Sequence, residues 1–593
     1  MLSSAASSSL APLNSDPFIP MKNHNHETPN APFDPSNDQN HETPNSLFNP
    51  IPQLVTDHFQ SITHHQFCTS STIILDGLII KQREKVNQVR EIVQNLKDPA
   101  EKMVMIDNLQ RLGIDYHFRE EIESILCSLS ENDDAVSSIH DVALRFRLLR
   151  EHGYHASLDV FNSFKDKEGR FKLQLTADIK GLMSLYESSK LSTEGEDILD
   201  EVNDFASKNL IASMEFIEPD LEREVRHVLE HPFHMSLPRF NIKKHLKDLQ
   251  GKDGKTDAPI QELAILDFNI LQSMHQSELK EVAKWWGDLG LSQELRFARD
   301  QPLKWYMWPL AVLPNPKFSR YRIELTKPIA LVYIIDDIYD VYGTLDELVV
   351  FTEAVNRWDP SDINQLPRNM KLCFMALHNI TNEIAYMVLK EHGWNPINSL
   401  KKTWRDLCNA FLVEAKWFAE GDSPKADEYL RNGVTSSGVA TVLVHLFFLV
   451  GNGITRESVD LVDSIPKLIS RPAVILRLWD DLGSAKDENQ KGYDGSYVEC
   501  YLKENATSSL ESARRHVRHM ISNAWKELNK ECLSPYPFSP TFIEASLNTT
   551  RMVQVMYSYD NDQRLPALEQ HITSLLKESI PDKEIERPLA SRT

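Results

Sequence analysis

Positive charge is scarce at the start of this chain. No arginine precedes Arg83, and Lys22 is the only lysine before Lys81. The Ser-rich, acid-free opening MLSSAASSSLAPL resembles an organelle transit peptide, but such peptides are usually arginine-rich, so the missing arginine points to a cytoplasmic protein, with organelle import as the alternative. The whole chain is also short of basic residues: 64 Lys and Arg stand against 86 Asp and Glu over 593 residues, a net charge of −22. That balance argues against a nucleic-acid partner, because phosphate binding needs clustered Lys and Arg. The six cysteines are scattered and form no CxxC pair. They read as reduced thiols, which leaves neither a disulfide frame nor a zinc site. No run reaches 18 consecutive apolar residues, so no membrane span is expected. The nearest, Val439 to Val450, is interrupted by Thr441 and His445 and suits a buried helix.

What is present is mostly helical pattern. Residues 1–55 are a separate segment rich in Pro, Asn, Ser and His, in which NHETPN occurs at 25–30 and again at 40–45. Such a composition cannot bury enough apolar surface to offset chain entropy, so disorder is expected there. Beyond it, segments such as Ala143–Arg150 and Ile260–Asn269 repeat apolar residues at three- and four-residue spacings, and strand-like alternation is nearly absent. The polar run Gly251 to Pro259 is the best linker. These features predict an all-α chain with an N-terminal helical domain over 56–255 and a C-terminal one over 256–593. All ten tryptophans, Trp285 to Trp525, lie in the second. That placement suits an aromatic-walled pocket, although ordinary core packing accounts for part of it.

Two acidic constellations carry the chemistry. The first lies between Pro328, which suits a first helical turn, and Gly343, which suits a stop. Thr344 and Glu347 then form a capping-box signature for the next helix. Asp336 and Asp340 are four residues apart, on one helix face, with Asp337 beside them. Acid pairs at this spacing are normally solvated. Here the apolar run Ile329 to Ile335 precedes them, and buried like charges need a neutralising cation. Hard divalent cations favour such oxygen ligands.

The second constellation is Arg477, Asp480, Ser484 and Glu488. The last three step by four along one face, and Arg477 lies three residues before Asp480, where its guanidinium suits a phosphate. A helix-terminal charge cluster is the bland reading of the same residues. Asp133, Ser137 and Asp141 also step by four, but they lack such an arginine and lie in a polar run, so they read as capping and surface residues.

Together these residues resemble the plant terpene synthase family. Asp336-Asp337-Ile338-Tyr339-Asp340 matches its DDxxD motif, and Asp480, Ser484 and Glu488 match its (N/D)DxxSxxxE motif. Arg111–Tyr116 and Leu144–Arg150 resemble its N-terminal domain. The resemblance implies an N-terminal α-barrel-like domain and a C-terminal class I α-bundle that binds about three Mg²⁺, with Mn²⁺ as a substitute. It makes Asp336, Asp340, Asp480, Ser484 and Glu488 metal ligands, and Asp337 a supporting residue. Arg299 and Arg477 would grip the diphosphate together with Asp336 and Asp480, and Trp308, Tyr339 and Tyr557 would wall the pocket. Ser436-Ser437-Gly438 would form a helix break that senses diphosphate, or else a simple turn. The implied partner is a small-molecule prenyl diphosphate, the protein is expected to be a monomer, and the organelle alternative becomes the plastid.

Two departures bear on the product. The family's Arg-x-Arg motif reads Arg299-Asp300-Gln301 here, and the N-terminal tandem arginine with a following tryptophan is missing. With Gln301 to Trp308, both features resemble the subgroup that makes acyclic alcohols such as linalool and (E)-nerolidol. The alternatives are a synthase with a cyclic or hydrocarbon product, a chain-elongating prenyltransferase, and a catalytically dead helical scaffold. The DxDD motif of protonation-initiated cyclisation is absent from 56–250.

Overall fold

The computed structural model describes residues 70–131, 138–250, 257–421, 423–484, 496–534, 537–558 and 565–581. Among them all regular structure is helical; one isolated bridge, Lys165 with Phe171, is the sole extended pairing. The expected disordered segment, 1–55, lies outside the described residues, as do Asp133, Ser137 and Glu488.

The N-terminal part contributes α1 (Ser70–Asn95), α2 (Pro99–Arg111), α3 (Arg119–Glu131), α4 (Ile139–Glu151), α5 (Ile179–Ser189), α6 (Asp197–Ser213), α7 (Pro219–Glu230) and α8 (Ile242–Gln250). Their starts follow capping chemistry: Asp98 caps α2 ahead of Pro99, and Ser138 caps α4 by accepting the Asp141 N–H. Asp141 is thus a first-turn residue, as its polar surroundings predicted. Of the polar run Gly251 to Pro259, residues 251–256 lie outside the described residues, and the rest is helical: α9 (Asp257–Leu289) carries Pro259 in its first turn.

The C-terminal bundle follows as α10 (Pro302–Val312), α11 (Ser319–Asp337), α12 (Leu345–Arg357), α13 (Arg368–His392), α14 (Ile397–Glu420), α15 (Ala426–Ser436), α16 (Val439–Val450), α17 (Arg456–Asp463), α18 (Lys467–Ser484), α19 (Tyr497–Glu504), α20 (Leu510–Leu533), α21 (Pro540–Met556) and α22 (Pro566–Leu576). Helix α11 packs against α9, α10 and α16, and α18 packs against α16, α20 and α21. The Thr344–Glu347 capping box forms as predicted. By length and composition, Arg368–His392 and Ala426–Val450 are apolar enough to cross a bilayer, but 56% and 72% of those windows are buried inside the fold.

One apolar core extends from Val86 to Leu576 and draws on both halves of the chain. A smaller core, from Ile139 through Phe161 and Leu182 to Leu229, sits inside α4–α7. Helix α1 lies on α9, where Gln82 donates to Asp267 at 2.8 Å. A second tie fixes the bundle's middle. Fully buried Arg322 of α11 donates to both oxygens of Glu278 on α9, at 2.5 and 2.7 Å, and Tyr306 of α10 donates to the same carboxylate at 2.6 Å.

Two local expectations are corrected. Pro328 is not the first turn: α11 begins nine residues earlier, at Ser319, and carries Pro328 in its interior. Burial of Leu325, Ile329, Ala330 and Leu331 holds the helix through the proline, which forfeits one backbone hydrogen bond. The regular helix then ends at Asp337, and Ile338–Tyr342 forms a single π-turn closed by the Gly343 N–H to the Ile338 carbonyl at 2.8 Å. Asp340 therefore leaves the α-helical register that spacing alone assigned to it. Such π-turns are frequent at functional sites. Gly343 does end the helix, but in extended backbone; a Cβ there would lie 2.5 Å from the Leu348 side chain.

Candidate active site

A pocket of about 160 Å³ opens among α10, α11, the α15–α16 junction, α18 and the end of α21. Asp336 from the last turn of α11, Asp340 from the π-turn and Asp480 from α18 all line it, so elements far apart in sequence present carboxylates to one space. Arg299, Arg477 and Lys304 line it too, as do Trp308, Tyr333, Tyr557 and the aliphatic Ile329, Val332, Val439, Val442 and Leu476. One end is charged and the rest is aromatic and aliphatic.

The electrostatics are strained. Burial, then the neighbouring carboxylates of Asp336 and Glu414, holds the Asp340 carboxyl well above the usual carboxylate range. Burial also raises Asp480, opposed by Arg477 and reinforced by Asp336. Glu414 of α14 is raised by its burial as well, although Arg477 and a 2.7 Å hydrogen bond from Ser436 favour its anion. The acids exceed what the nearby arginines neutralise.

Arg299 bridges the acidic motif to the loop before α10. Its backbone N–H donates to Asp337 Oδ2 at 2.7 Å, its Nε lies 2.7 Å from Asp337 Oδ1, and its Nη2 contacts Asp336. Asp337 is buried and absent from the pocket lining. Arg477 Nη2 donates to Ser436 Oγ at 3.0 Å, and Nη1 lies 3.8 Å from Asp480 Oδ2. The stem of Arg477 crosses Gly433, where a Cβ would approach it to 3.1 Å. Asp481 accepts from Tyr429 at 3.0 Å and from the Tyr497 N–H at 2.9 Å, which anchors α18 beside the pocket.

The helix break expected at Ser436-Ser437-Gly438 is present: α15 ends at Ser436, Gly438 is left-handed at φ 73°, and all three residues line the pocket. Trp308 lies in the wall with its indole N–H donating to Tyr333 Oη at 3.1 Å, and Tyr557 lies there too. Tyr339 does not. It is buried with its hydroxyl 2.7 Å from Thr352 and its ring against Phe351 and Phe411, because the π-turn directs it into the bundle core. Ser484 is the last described residue of α18, and Glu488 lies beyond it. Sequence reasoning missed Tyr333, Glu414 and Lys304. Tyr333 had a usable signal, since it precedes Asp336 by three residues on the same helix.

The donor set fits hard divalent cations. Asp336, Asp340 and Asp480 offer carboxylate oxygens only, and they face one pocket with too little positive charge beside them to stabilise their anions.

The comparisons agree with that chemistry. Residues 54–229 match the family model of the terpene synthase N-terminal domain, and residues 287–527 match the terpene synthase metal-binding domain. The chain is 49% identical to an (E)-nerolidol synthase of Cannabis sativa, over 84% of this chain and 93% of that protein. It is 45% identical to a chloroplastic S-(+)-linalool synthase of Arabidopsis thaliana, over 83% and 87%. A chloroplastic tricyclene synthase of Antirrhinum majus is 44% identical over 87% and 91%. The solved isoprene synthase of grey poplar leaves, in complex with three Mg²⁺ ions and dimethylallyl-S-thiolodiphosphate, superposes with a TM-score of 0.79 at 38% identity, over 86% of this chain and 99% of that one. The two family matches, together spanning most of the chain, and relatives this similar along nearly their whole length identify it as an enzyme of the terpene synthase family.

Proposed function

We propose that this enzyme ionises geranyl diphosphate, farnesyl diphosphate or both, and captures water to release an acyclic tertiary alcohol, linalool from the first and (E)-nerolidol from the second. The observation that carries the reading is the shared pocket of Asp336, Asp340, Asp480, Arg299 and Arg477, charged at one end and apolar beyond it. Asp336 and Asp340 would hold Mg²⁺ from one side; Asp480, with Ser484 and Glu488, would hold it from the other. Bound Mg²⁺ neutralises the diphosphate and makes it a better leaving group. Arg477 and Arg299 add fixed positive charge where the leaving group's charge develops, an effect worth several kcal/mol when water is excluded. Trp308, Tyr333 and Tyr557 offer ring faces to an allylic cation, each worth about 0.5–2 kcal/mol.

The acyclic product rests on Gln301 and on the missing tandem arginine. A cyclic product is the second reading, favoured by the similarity to a tricyclene synthase. Two of the relatives are chloroplastic proteins, which favours the plastid over the cytoplasm as the enzyme's location. Incubation of the protein with each diphosphate and Mg²⁺, followed by gas chromatography, tests the proposal. Release of linalool or nerolidol supports it, cyclic hydrocarbons overturn the product assignment, and a longer prenyl diphosphate would indicate elongation. Failure to release diphosphate from either substrate would sink the whole reading.

A further inference from the structure

Lys304 is 93% buried, counting from its relative exposure of 7%, and lines the same pocket as Arg299, Arg477 and the three aspartates. It sits in the first turn of α10, three residues after Gln301. Lysines are almost never this buried without a partner. Among the described residues its ammonium has neither a hydrogen bond nor an ion pair, only the Tyr333 ring, whose centroid is 5.7 Å away. The other two cations of the pocket are engaged: Arg299 by Asp336 and Asp337, Arg477 by Ser436 and, more loosely, Asp480. A cation in the first turn of a helix also opposes the helix dipole, which favours an anion there. Burial, then Arg299, lowers its pKa to about 8, against the opposing pull of the Asp480 and Asp337 carboxylates. Meanwhile the side-chain carbonyl of Gln301 is itself buried without a hydrogen-bond partner among the described residues.

We propose that Lys304 is a diphosphate-binding residue that supplies to this pocket the positive charge Gln301 does not. The inference rests on the synthase reading above and assigns one more residue to its diphosphate site. An ammonium on a flexible stem, with three rotatable N–H donors, can follow the diphosphate oxygens as the bond to carbon breaks, whereas Arg299 is clamped by two carboxylates.

The test compares wild type, K304M and K304R, with inorganic diphosphate plus Mg²⁺ as the binding probe and with steady-state turnover of geranyl and farnesyl diphosphates. K304M is expected to bind inorganic diphosphate roughly ten- to a hundredfold more weakly, the loss typical of a hydrogen bond to a charged group, and to lose kcat/KM by a similar factor. K304R should recover most of both. The metal-free melting temperature of K304M should equal or exceed that of wild type, because the substitution removes an unpaired buried charge. If K304M fails to fold, K304Q takes its place in each measurement. Unchanged diphosphate affinity in the variant, or a lower melting temperature with affinity intact, would overturn the assignment in favour of a packing role. Wild-type turnover separates the two claims: an inactive wild type removes the synthase reading, whereas an active wild type with an unaffected K304M removes only Lys304.

Discussion

Arg299 holds Asp337 twice, through its backbone N–H at 2.7 Å to one carboxylate oxygen and through Nε at 2.7 Å to the other. The neighbouring Asp336 meets the same guanidinium but also faces the pocket. Two adjacent aspartates thus divide their work: Asp337 locks the loop before α10 onto the end of α11, and Asp336 presents an oxygen to the cavity. Asp337 supports the site without entering it.

Asp337→Asn keeps the side chain's shape but removes the ion pair. We expect it to lower the metal-free unfolding free energy by about 1–3 kcal/mol, read from urea unfolding. Asp336→Asn should lose less, because it also relieves repulsion with Asp340. An equal or larger loss for Asp336→Asn would contradict the division.

Arg322→Met leaves the Glu278 carboxylate buried without its cation, between α9 and α11. Removal of one partner of a buried pair typically costs about 3–5 kcal/mol. Guanidinium unfolding should show a loss of that size. A loss under 1 kcal/mol would mean that Tyr306 and water satisfy Glu278 unaided.

Gly438→Ala tests the helix break. Its φ of 73° disfavours a side chain, and an added Cβ would lie 2.6 Å from Val332 Cγ1. Strain at φ costs about 1–2 kcal/mol and overpacking about 1–3 kcal/mol. The melting temperature should fall, and turnover with it, since Val332 and Ser436 line the pocket. Wild-type melting would show that the junction relaxes freely.

His234 predicts a pH dependence. Burial, then Arg551, pushes its imidazole down to about 3. Nε2 bonds Asn529 Oδ1 at 2.8 Å, and Nδ1 is buried without a hydrogen-bond partner among the described residues. The unfolded chain takes up the proton near pH 6.5 and the folded one does not. Stability is therefore present above about pH 6.5 and lost as pH falls toward 3. Between pH 7 and 5, wild type should lose about 2 kcal/mol more than His234→Gln, measured from urea midpoints at both values. Parallel losses would show that His234 takes up its proton as readily in the folded state as in the unfolded one.

Much of this was legible in the chain. Apolar periodicity marked the helices, the Thr344–Glu347 box marked a helix start, and the acidic motifs named the pocket's carboxylates. All of these are features of near neighbours, within one or two helical turns. The missed features depend on partners elsewhere. Pro328 lies mid-helix because its flanking side chains are buried by other elements, and Tyr339 points into the core because a π-turn rotates it toward Phe351 and Phe411.

By itself, the sequence determined that the chain is all-α, where its acids and arginines stand, and which residue, Gln301, departs from the expected pair of arginines. Only the tertiary structure decided which of Asp336 and Asp337 reaches the pocket, that Tyr339 leaves it, and that Lys304 enters it. The physical reason is range. Helix propensity and capping act over a few residues, whereas a side chain's access to the pocket depends on α10, α11, α16 and α18 packing together across more than a hundred residues of chain.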